Sequence, residues 1–230
     1  MNIKESFRSL TKFEWCLWLS SVAVIIVSSL VVPKPDILSM IASFIGVTAL
    51  IFVAKGYVLG QILCIIFAVF YGIVSFSARY YGEMITYLGM SAPAALVATI
   101  SWLRNPYKKS AEVKVARLTK GKTVLLFLAT GLVTWVFYYI LGALDTANLL
   151  VSTFSVTTSF LASMLLIFRS PMYALAYALN DIVLVTLWVM AAFDDPSSVP
   201  MIACFLMFLF NDLYGFIQWK SMRKRQETDV

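Results

Sequence analysis

Eight apolar runs occupy most of this chain of 230 residues, and each is about 18 to 22 residues long, enough for one helix to cross a bilayer. Hydrophobic residues make up 61% of the chain and charged residues 13%, so no long polar stretch is left for a soluble domain. The sequence therefore predicts an all-α integral membrane protein and excludes an enzyme with its active site in a soluble loop domain. The eight runs are Trp15–Val32, Ile37–Ala54, Tyr57–Phe76, Met84–Leu103, Thr123–Ala143, Leu149–Phe168, Met172–Phe193 and Val199–Trp219.

The basic residues predict the orientation of these spans. If both termini are cytoplasmic, every Lys and Arg except Lys34 and Arg79 lies on the cytoplasmic side. The net charge of +6 then reflects topology and does not require a nucleic-acid partner. The basic loop 104–122 can also be interpreted as a patch for RNA or an effector protein, but a cytoplasmic loop beside anionic lipid is expected to be basic.

Two further features narrow the class of protein. The first run is long for a signal peptide and seven more follow it, so we expect it to be retained. The chain has no histidine, which argues against a metal site and a metal-dependent hydrolase, and we expect no cofactor. Three scattered cysteines lack the spacing of metal sites or disulfides, and we expect small core residues at Cys16, Cys64 and Cys204.

A comparison of the chain with itself indicates an internal duplication. A shift of 116 to 117 residues places several residues in register: Ser39 with Ser155, Ser43 with Ser159, Phe44 with Phe160, Tyr71 with Trp188, and Trp102 with Trp219. The layout agrees, because spans two to four (the first triplet) and spans six to eight (the second triplet) flank a single linker span. Parallel repeats of this kind are a transporter architecture with the substrate site between the halves.

This layout predicts five segments. Residues 1–36 form a cytoplasmic N-terminus and an extra transmembrane helix, and residues 37–103 form the first three-helix repeat. Residues 104–148 form the basic loop and linker helix, residues 149–220 the second repeat, and residues 221–230 a cytoplasmic tail. The fold class is thus eight transmembrane helices in a 3+1+3 order after one extra helix. The sequence does not determine the oligomeric state, and a homo-oligomer is possible.

Two aspartates lie deep in the last two spans, each directly after an asparagine: Asn180-Asp181 and Asn211-Asp212. A charged group facing lipid is costly, so we expect both to face the bundle interior or an aqueous cavity. There they would attract a cation or hold a proton. The alternative is that these polar residues only join helices by hydrogen bonds.

Aromatic and amide side chains share faces with these aspartates. Tyr173, Tyr177, Asn180 and Asp181 recur at helical spacing, although a stripe of tyrosines is often plain packing. Aromatic rings and amides facing inward would suit a flat heterocycle, and a delocalised cation would gain further from the rings. The predicted substrate-binding residues are Asn180, Asn211, Trp188, Tyr177, Tyr214, Asp181, Asp212, Gln61, Phe160 and Phe44.

An ordered set of short segments resembles the PnuC family of bacterial nicotinamide riboside transporters over residues 37–220. The segments are Tyr81-Gly82-Glu83-Met84, Ser101-Trp102-Leu103-Arg104-Asn105, Asn180-Asp181, and residues 211–219 from Asn211 to Trp219. The resemblance implies a fold like that of the SWEET sugar transporters in a multi-pass protein of the bacterial cytoplasmic membrane. The family's asparagines would fall on Asn180 and Asn211, whereas the first-half contact would fall on Gln61 or Leu63.

The same resemblance implies uptake of nicotinamide riboside by uniport through alternating access. Phosphorylation in the cytoplasm would trap the product, which implies a functional link to a riboside kinase. Paralogues carry thiamine or riboflavin, so these substrates remain alternatives. A proton-coupled carrier is another, and an intramembrane aspartyl protease is disfavoured because neither aspartate has a Gly-x-Gly-Asp context.

Overall fold

A computed structural model describes residues 3–32, 36–108 and 110–229, and helices dominate it. Lys34, one of the two basic residues predicted to lie outside, falls beyond the described residues. The described part contains eight helices long and apolar enough to cross a membrane, so the predicted fold class is confirmed. The helices are α1 (Ile3–Arg8), α2 (Lys12–Val31), α3 (Ile37–Ala54), α4 (Val58–Ser77), α5 (Tyr81–Ile85), α6 (Ala92–Leu103), α7 (Lys120–Ala143), α8 (Leu149–Ile167), α9 (Met172–Asp194) and α10 (Val199–Thr228).

The eight spans correspond in order to the helices from α2 to α10, with α5 and α6 forming one span. A π-helical segment, Thr86–Ser91, joins the two. Side chains cap the N-termini of several helices. The Asp36 carboxylate accepts hydrogen bonds from the backbone amides of Leu38 and Ser39 at the start of α3, and the Thr119 hydroxyl accepts one from the Lys122 amide at the start of α7. The predicted segment boundaries outside the helices remain predictions.

Helix contacts follow the 3+1+3 order. Within the first triplet α4 packs against α3 and α6, and within the second α9 packs against α8 and α10. The triplets meet where α3 contacts α10 and where α6 contacts α8. The linker α7 packs on α8, and the extra helix α2 packs on both α3 and α10.

Residues related by the duplication touch each other along the centre of the bundle. Trp188 Nε1 donates to the hydroxyl of Tyr71 at 2.9 Å, and the rings of Trp102 and Trp219 lie 5.4 Å apart. Trp102 Nε1 donates to the Leu166 carbonyl at 3.4 Å. A residue contacts its own copy only near a symmetry axis, so a pseudo-twofold axis runs along the bundle and the repeats are parallel.

The tryptophan pair also joins the triplets. Trp219 Nε1, on the last helix of the second triplet, donates to the Val53 carbonyl on the first helix of the first triplet at 2.9 Å. Trp102 makes the reciprocal bond to α8. Both carbonyls lie in the last turn of their helices and also accept a backbone amide, from Gly56 and from Arg169 respectively, so each tryptophan bonds to an oxygen that accepts two donors.

One end of the bundle carries the loop between α6 and α7 and the last turns of α10. The Val113 amide donates to the Gly56 carbonyl at 3.0 Å, and Gln226 Nε2 donates to the Val113 carbonyl at 3.0 Å. Ion pairs join Lys108 to Asp229 and Arg117 to Glu227, and a further pair joins Arg225 to Glu112. We call this the basic end, because Lys55 and Arg169 also lie there.

Part of the basic loop is held against the end of α10 by these contacts. Hydrogen bonds from Tyr107 and Lys108 hold the pKa of the Asp229 carboxyl below its usual value, so the carboxyl stays charged near neutral pH. The loop therefore packs over the bundle and binds the end of α10 through opposite charges.

The extra helix α2 is attached by a buried acid at its first turn. Glu14 completes a capping box with Thr11, and its carboxylate also receives hydrogen bonds from Lys55 Nζ at 3.0 Å and from the Tyr214 hydroxyl at 2.9 Å. Lys55 belongs to the first triplet and Tyr214 to the second. Glu14 therefore connects α2 to both halves of the bundle.

One expectation about the cysteines is wrong. Cys204 is buried and Cys64 half-buried, but Cys16 is exposed on α2. The outer face of α2 explains this, because the described part of the chain packs on α2 mainly through α1, α3 and α10 and leaves the other side of the helix uncovered.

Candidate functional site

A cavity of about 60 Å³ lies between the two triplets. The first triplet supplies a largely apolar wall that includes Gly46, Ala49 and Phe67, and the second triplet supplies most of the polar groups. This volume holds a few water molecules. A heterocycle with an attached sugar needs more room, so the walls must separate to admit one.

The polar wall centres on a pair of acids. Asp181 on α9 and Asp212 on α10 are each 3% exposed, and their carboxyl groups are within hydrogen-bonding reach of each other. Asp181 Oδ2 has no hydrogen-bond partner, and among the described residues neither acid forms a salt bridge. Two adjacent carboxylates repel each other, so the pair needs a proton or a cation to offset that repulsion.

Aromatic rings surround the acid pair. The Tyr177 hydroxyl shares a hydrogen bond with Ser163 Oγ at 3.0 Å, and the Tyr173 ring packs edge-on against Trp219 at 4.9 Å. Phe208 closes the wall from α10. Ring faces beside uncompensated carboxylates form a site suited to a flat, positively charged group.

Asn180 lies next to this pair with its amide orientation fixed by α8. Its Oδ1 accepts hydrogen bonds from Thr158 at 2.7 Å, Ser159 at 3.0 Å and, more weakly, Ser155 at 3.5 Å. Since three donors converge on the oxygen, the Nδ2 group is left to donate. Asn180 lines the cavity, so it offers a donor to a bound acceptor.

Gln61, in the first turn of α4, is the amide that the first triplet contributes. It is fully buried and lines the cavity, and neither its oxygen nor its nitrogen has a hydrogen-bond partner. An unpaired buried amide is costly, so this side chain is available for a ligand.

The structure brings together half of the residues that the sequence predicts for the site. Five of them line the cavity: Asn180, Asp181, Asp212, Tyr177 and Gln61. The other five do not line it: Asn211, Tyr214, Trp188, Phe160 and Phe44. Their roles in binding remain predictions.

Two of these five face the extra helix. Asn211 Nδ2 donates to Ser21 Oγ at 3.2 Å, and the Tyr214 hydroxyl donates to Glu14. These bonds place the amide and the phenol at the α2 interface, away from the cavity.

The remaining three lie elsewhere. Trp188 is buried and bonded to Tyr71 on the pseudo-twofold axis. Phe44 is 44% exposed and its ring lies edge-on to Trp18 of α2. Phe160 is half-buried on α8.

Several residues of the cavity wall are not among those predicted from the sequence, and Tyr87 is the clearest of them. Tyr87 lies in the π-helical segment, where the Ala92 amide bonds to the Tyr87 carbonyl five residues earlier. Pro93 follows directly and cannot donate the usual helical bond, which favours a widened turn here. The proline was therefore a usable signal.

Asp181 and Asp212 are not the only buried acids in the described part of the chain. Glu14 and Glu83 are both 0% exposed. Each lies at the start of its span, where the sequence suggests contact with water, but neighbouring helices cover both.

Comparisons with known proteins agree on one group of relatives. The family profile described as nicotinamide mononucleotide transporter matches residues 36–221. A protein of Neisseria mucosa named nicotinamide riboside transporter PnuC is 27% identical, over 96% of this chain and 86% of its own length. A Haemophilus influenzae protein of the same name is 24% identical over 97% of both chains.

A solved structure is similar as well. The crystal structure of the vitamin B3 transporter PnuC superimposes with a TM-score of 0.83 at 27% identity, covering 95% of this chain and 94% of that one.

Proposed function

Since the chain belongs to the PnuC family of membrane transporters, we propose that it carries nicotinamide riboside by facilitated diffusion. It is a multi-pass membrane transporter, and its relatives are named as transporters rather than enzymes. The observation that carries the choice of substrate is the Asp181–Asp212 pair, which has no basic partner among the described residues and lies in the cavity between the triplets.

The chemistry of nicotinamide riboside matches this cavity. Its pyridinium ring carries a fixed positive charge, which the acid pair would offset, and the rings of Tyr177 and Tyr87 would pack against its faces. Its carboxamide and ribose offer acceptors to Asn180 Nδ2 and both kinds of partner to Gln61. Thiamine is also a cationic heterocycle and is the main alternative, whereas neutral riboflavin would make less use of the acids.

Transport would proceed by alternating access. The triplets are parallel repeats that meet around the cavity, so rocking one against the other would open it first to one side and then to the other. Because the cavity is small, both entry and release would require this movement. We propose that the protein lies in the bacterial cytoplasmic membrane with both termini and the basic end in the cytoplasm.

A uniporter only equalises concentrations, so net uptake would need a chemical step inside the cell. Phosphorylation by a cytoplasmic riboside kinase would add negative charge to the product. The acid pair would repel that charge, so the product would not leave by the same route. This proposal links the transporter functionally to the kinase.

Calorimetry on the purified protein tests the substrate. Nicotinamide riboside should bind, nicotinamide mononucleotide should not, and thiamine and riboflavin should bind at least tenfold more weakly. Binding of thiamine but not of the riboside would discard the proposed substrate and keep the fold.

A matched pair of variants tests the site. Asn180→Ala should weaken binding of the riboside at least tenfold, since a buried donor to the ligand is lost, about 1.4 kcal/mol. Asn211→Ala changes the same residue type at the α2 interface and should leave the dissociation constant within about twofold. Equal losses in the two variants would contradict the assignment of the cavity.

Reconstituted vesicles test the mechanism. Uptake should continue until the concentrations are equal and should not change when a protonophore is added. Collapse of uptake under the protonophore would replace uniport with a proton-coupled carrier that uses the acid pair as its relay.

A further inference from the structure

A third acid in the described part of the bundle lies outside the cavity and has no assigned role. Glu83, at the start of span four, is 0% exposed, and neither of its carboxyl oxygens receives a hydrogen bond. The nearby Arg79 is exposed, and no described basic side chain forms an ion pair with Glu83. A buried carboxylate without a partner is costly, so something must offset it.

Two hydroxyl oxygens lie next to this carboxyl, and two more belong to residues close by. Those of Tyr71 on α4 and Ser155 on α8 lie next to it, and Ser155 Oγ also lies 3.5 Å from Asn180 Oδ1. Ser75 lies beside Tyr71, and its Oγ is buried without a partner. Thr86 lies one helical turn after Glu83, and its hydroxyl is also buried and unpaired.

Such a concentration of unpaired buried oxygens indicates a missing partner, because buried polar groups in folded proteins are almost always satisfied. The unpaired oxygens are those of the Glu83 carboxylate, Ser75 and Thr86, and with the neighbouring hydroxyls of Tyr71 and Ser155 the group contains one carboxylate and four hydroxyl oxygens. Oxygen-only ligand sets bind hard cations, and a single carboxylate offsets a single positive charge.

We propose that Glu83, Ser75, Thr86, Ser155 and Tyr71 bind one sodium ion. The site joins α4 and span four of the first triplet to α8 of the second. It is separate from the acid pair of the cavity, and the proposal holds whichever substrate the protein carries. Ser155 touches both Glu83 and Asn180, so a bound ion would also restrain the Asn180 amide.

Thermal unfolding of the purified protein tests this site. The probes are sodium chloride, potassium chloride and choline chloride at constant ionic strength, without substrate. The unfolding midpoint should rise steadily with the logarithm of the sodium concentration and stay flat in choline, because a ligand of the folded state stabilises it by mass action. Identical midpoints in all three salts would overturn the proposal, and an equal rise in potassium would overturn the choice of sodium.

Glu83→Gln should abolish the sodium response. Glu14→Gln is the matched control: it also alters a buried glutamate, but one that already has Lys55 as its partner, so the response should remain. If Glu83→Gln does not fold, Thr86→Val carries the test, since it keeps the acid and should raise the half-saturating sodium concentration at least threefold. An unchanged response in Glu83→Gln or in Thr86→Val would contradict the site.

Discussion

In the second triplet the cavity wall carries Asp181 on α9 and Asp212 on α10, whereas the first triplet carries Cys64 and Ala95 at the positions related by the same 117-residue shift that pairs Tyr71 with Trp188. All four residues line the cavity. The two halves therefore keep the same helix positions but differ in charge. A substrate with one charged ring needs only one acidic wall, so a duplicated fold can keep its symmetry while its site loses it.

The third helix of each triplet differs too. In the second triplet it is the continuous α10, Val199–Thr228, whereas in the first it is broken by the π-helical segment Thr86–Ser91. The break places Tyr87 in the wall of the cavity. The first half thus contributes mainly shape and ring surface, and the second half contributes charge and a fixed amide.

The largest expected effect comes from removing the charge of the second triplet. The double variant Asp181→Asn with Asp212→Asn should weaken binding of nicotinamide riboside about 100-fold, or about 2.7 kcal/mol, because the cation loses its counter-charge. Calorimetry gives the dissociation constant. Cys64→Ala, at the matched first-triplet position, should change it less than about threefold. An unchanged dissociation constant in the double variant would show that the two acids only join helices and do not bind the substrate.

The next effect concerns packing in the first triplet. A Cβ atom at Gly60 would lie 2.5 Å from the Val53 backbone nitrogen, so Gly60→Ala should force α3 and α4 apart and destabilise the protein by about 2 kcal/mol. The unfolding midpoint measures this. Gly131→Ala on α7, where nothing lies within 4 Å, should not lower it. The 117-residue shift places Gly60 at the position of Tyr177 in the second triplet. If Gly60→Ala does not destabilise the protein, the first triplet also has space for a side chain at this position.

Moving the charge between the halves tests whether position or charge matters. In an Asp212→Asn background, Ala95→Asp should recover about tenfold of the lost affinity, about 1.4 kcal/mol, because a carboxylate then faces the same cavity from the opposite wall. Ala95→Asn in that background has nearly the same size and should recover nothing. Equal affinities for the two variants would show that a carboxylate supports binding only when the second triplet supplies it.

The smallest effect distinguishes the paired tryptophans. Trp219→Phe removes the 2.9 Å bond to Val53 and should cost about 1 kcal/mol of stability, whereas Trp102→Phe removes the longer 3.4 Å bond to Leu166 and should cost less. Unfolding midpoints of the two variants decide the order. A larger loss for Trp102→Phe would reverse the ranking of the two interfaces.

The eight spans and the parallel triplets were predictable, because span length and apolar composition are local properties of the sequence. Asp181 and Asp212 were predictable as well, since an intramembrane acid must face inward. The two Asn-Asp pairs look alike in sequence, yet Asn180 meets the hydroxyls of α8 and Asn211 meets Ser21 of α2. Which neighbour a helix face meets depends on tertiary packing, and no local pattern encodes it.

Glu83 shows the same limit at a helix end. It precedes an apolar run that begins at Met84, where a charged residue normally reaches water. Glu83 is buried because Tyr71 and α8 pack beside it, and this contact depends on tertiary packing. The local sequence therefore does not predict that this acid is shielded from water.

The attachment of α2 has a consequence for how far the carrier can move. Glu14 binds Lys55 of the first triplet and Tyr214 of the second, so this one side chain bridges two bodies that are proposed to rock against each other. A rigid bridge on one flank fixes the pivot there. The opposite flank, where α6 meets α8, then has the longer lever arm, and the lateral swing of the transporter should be greatest along that seam.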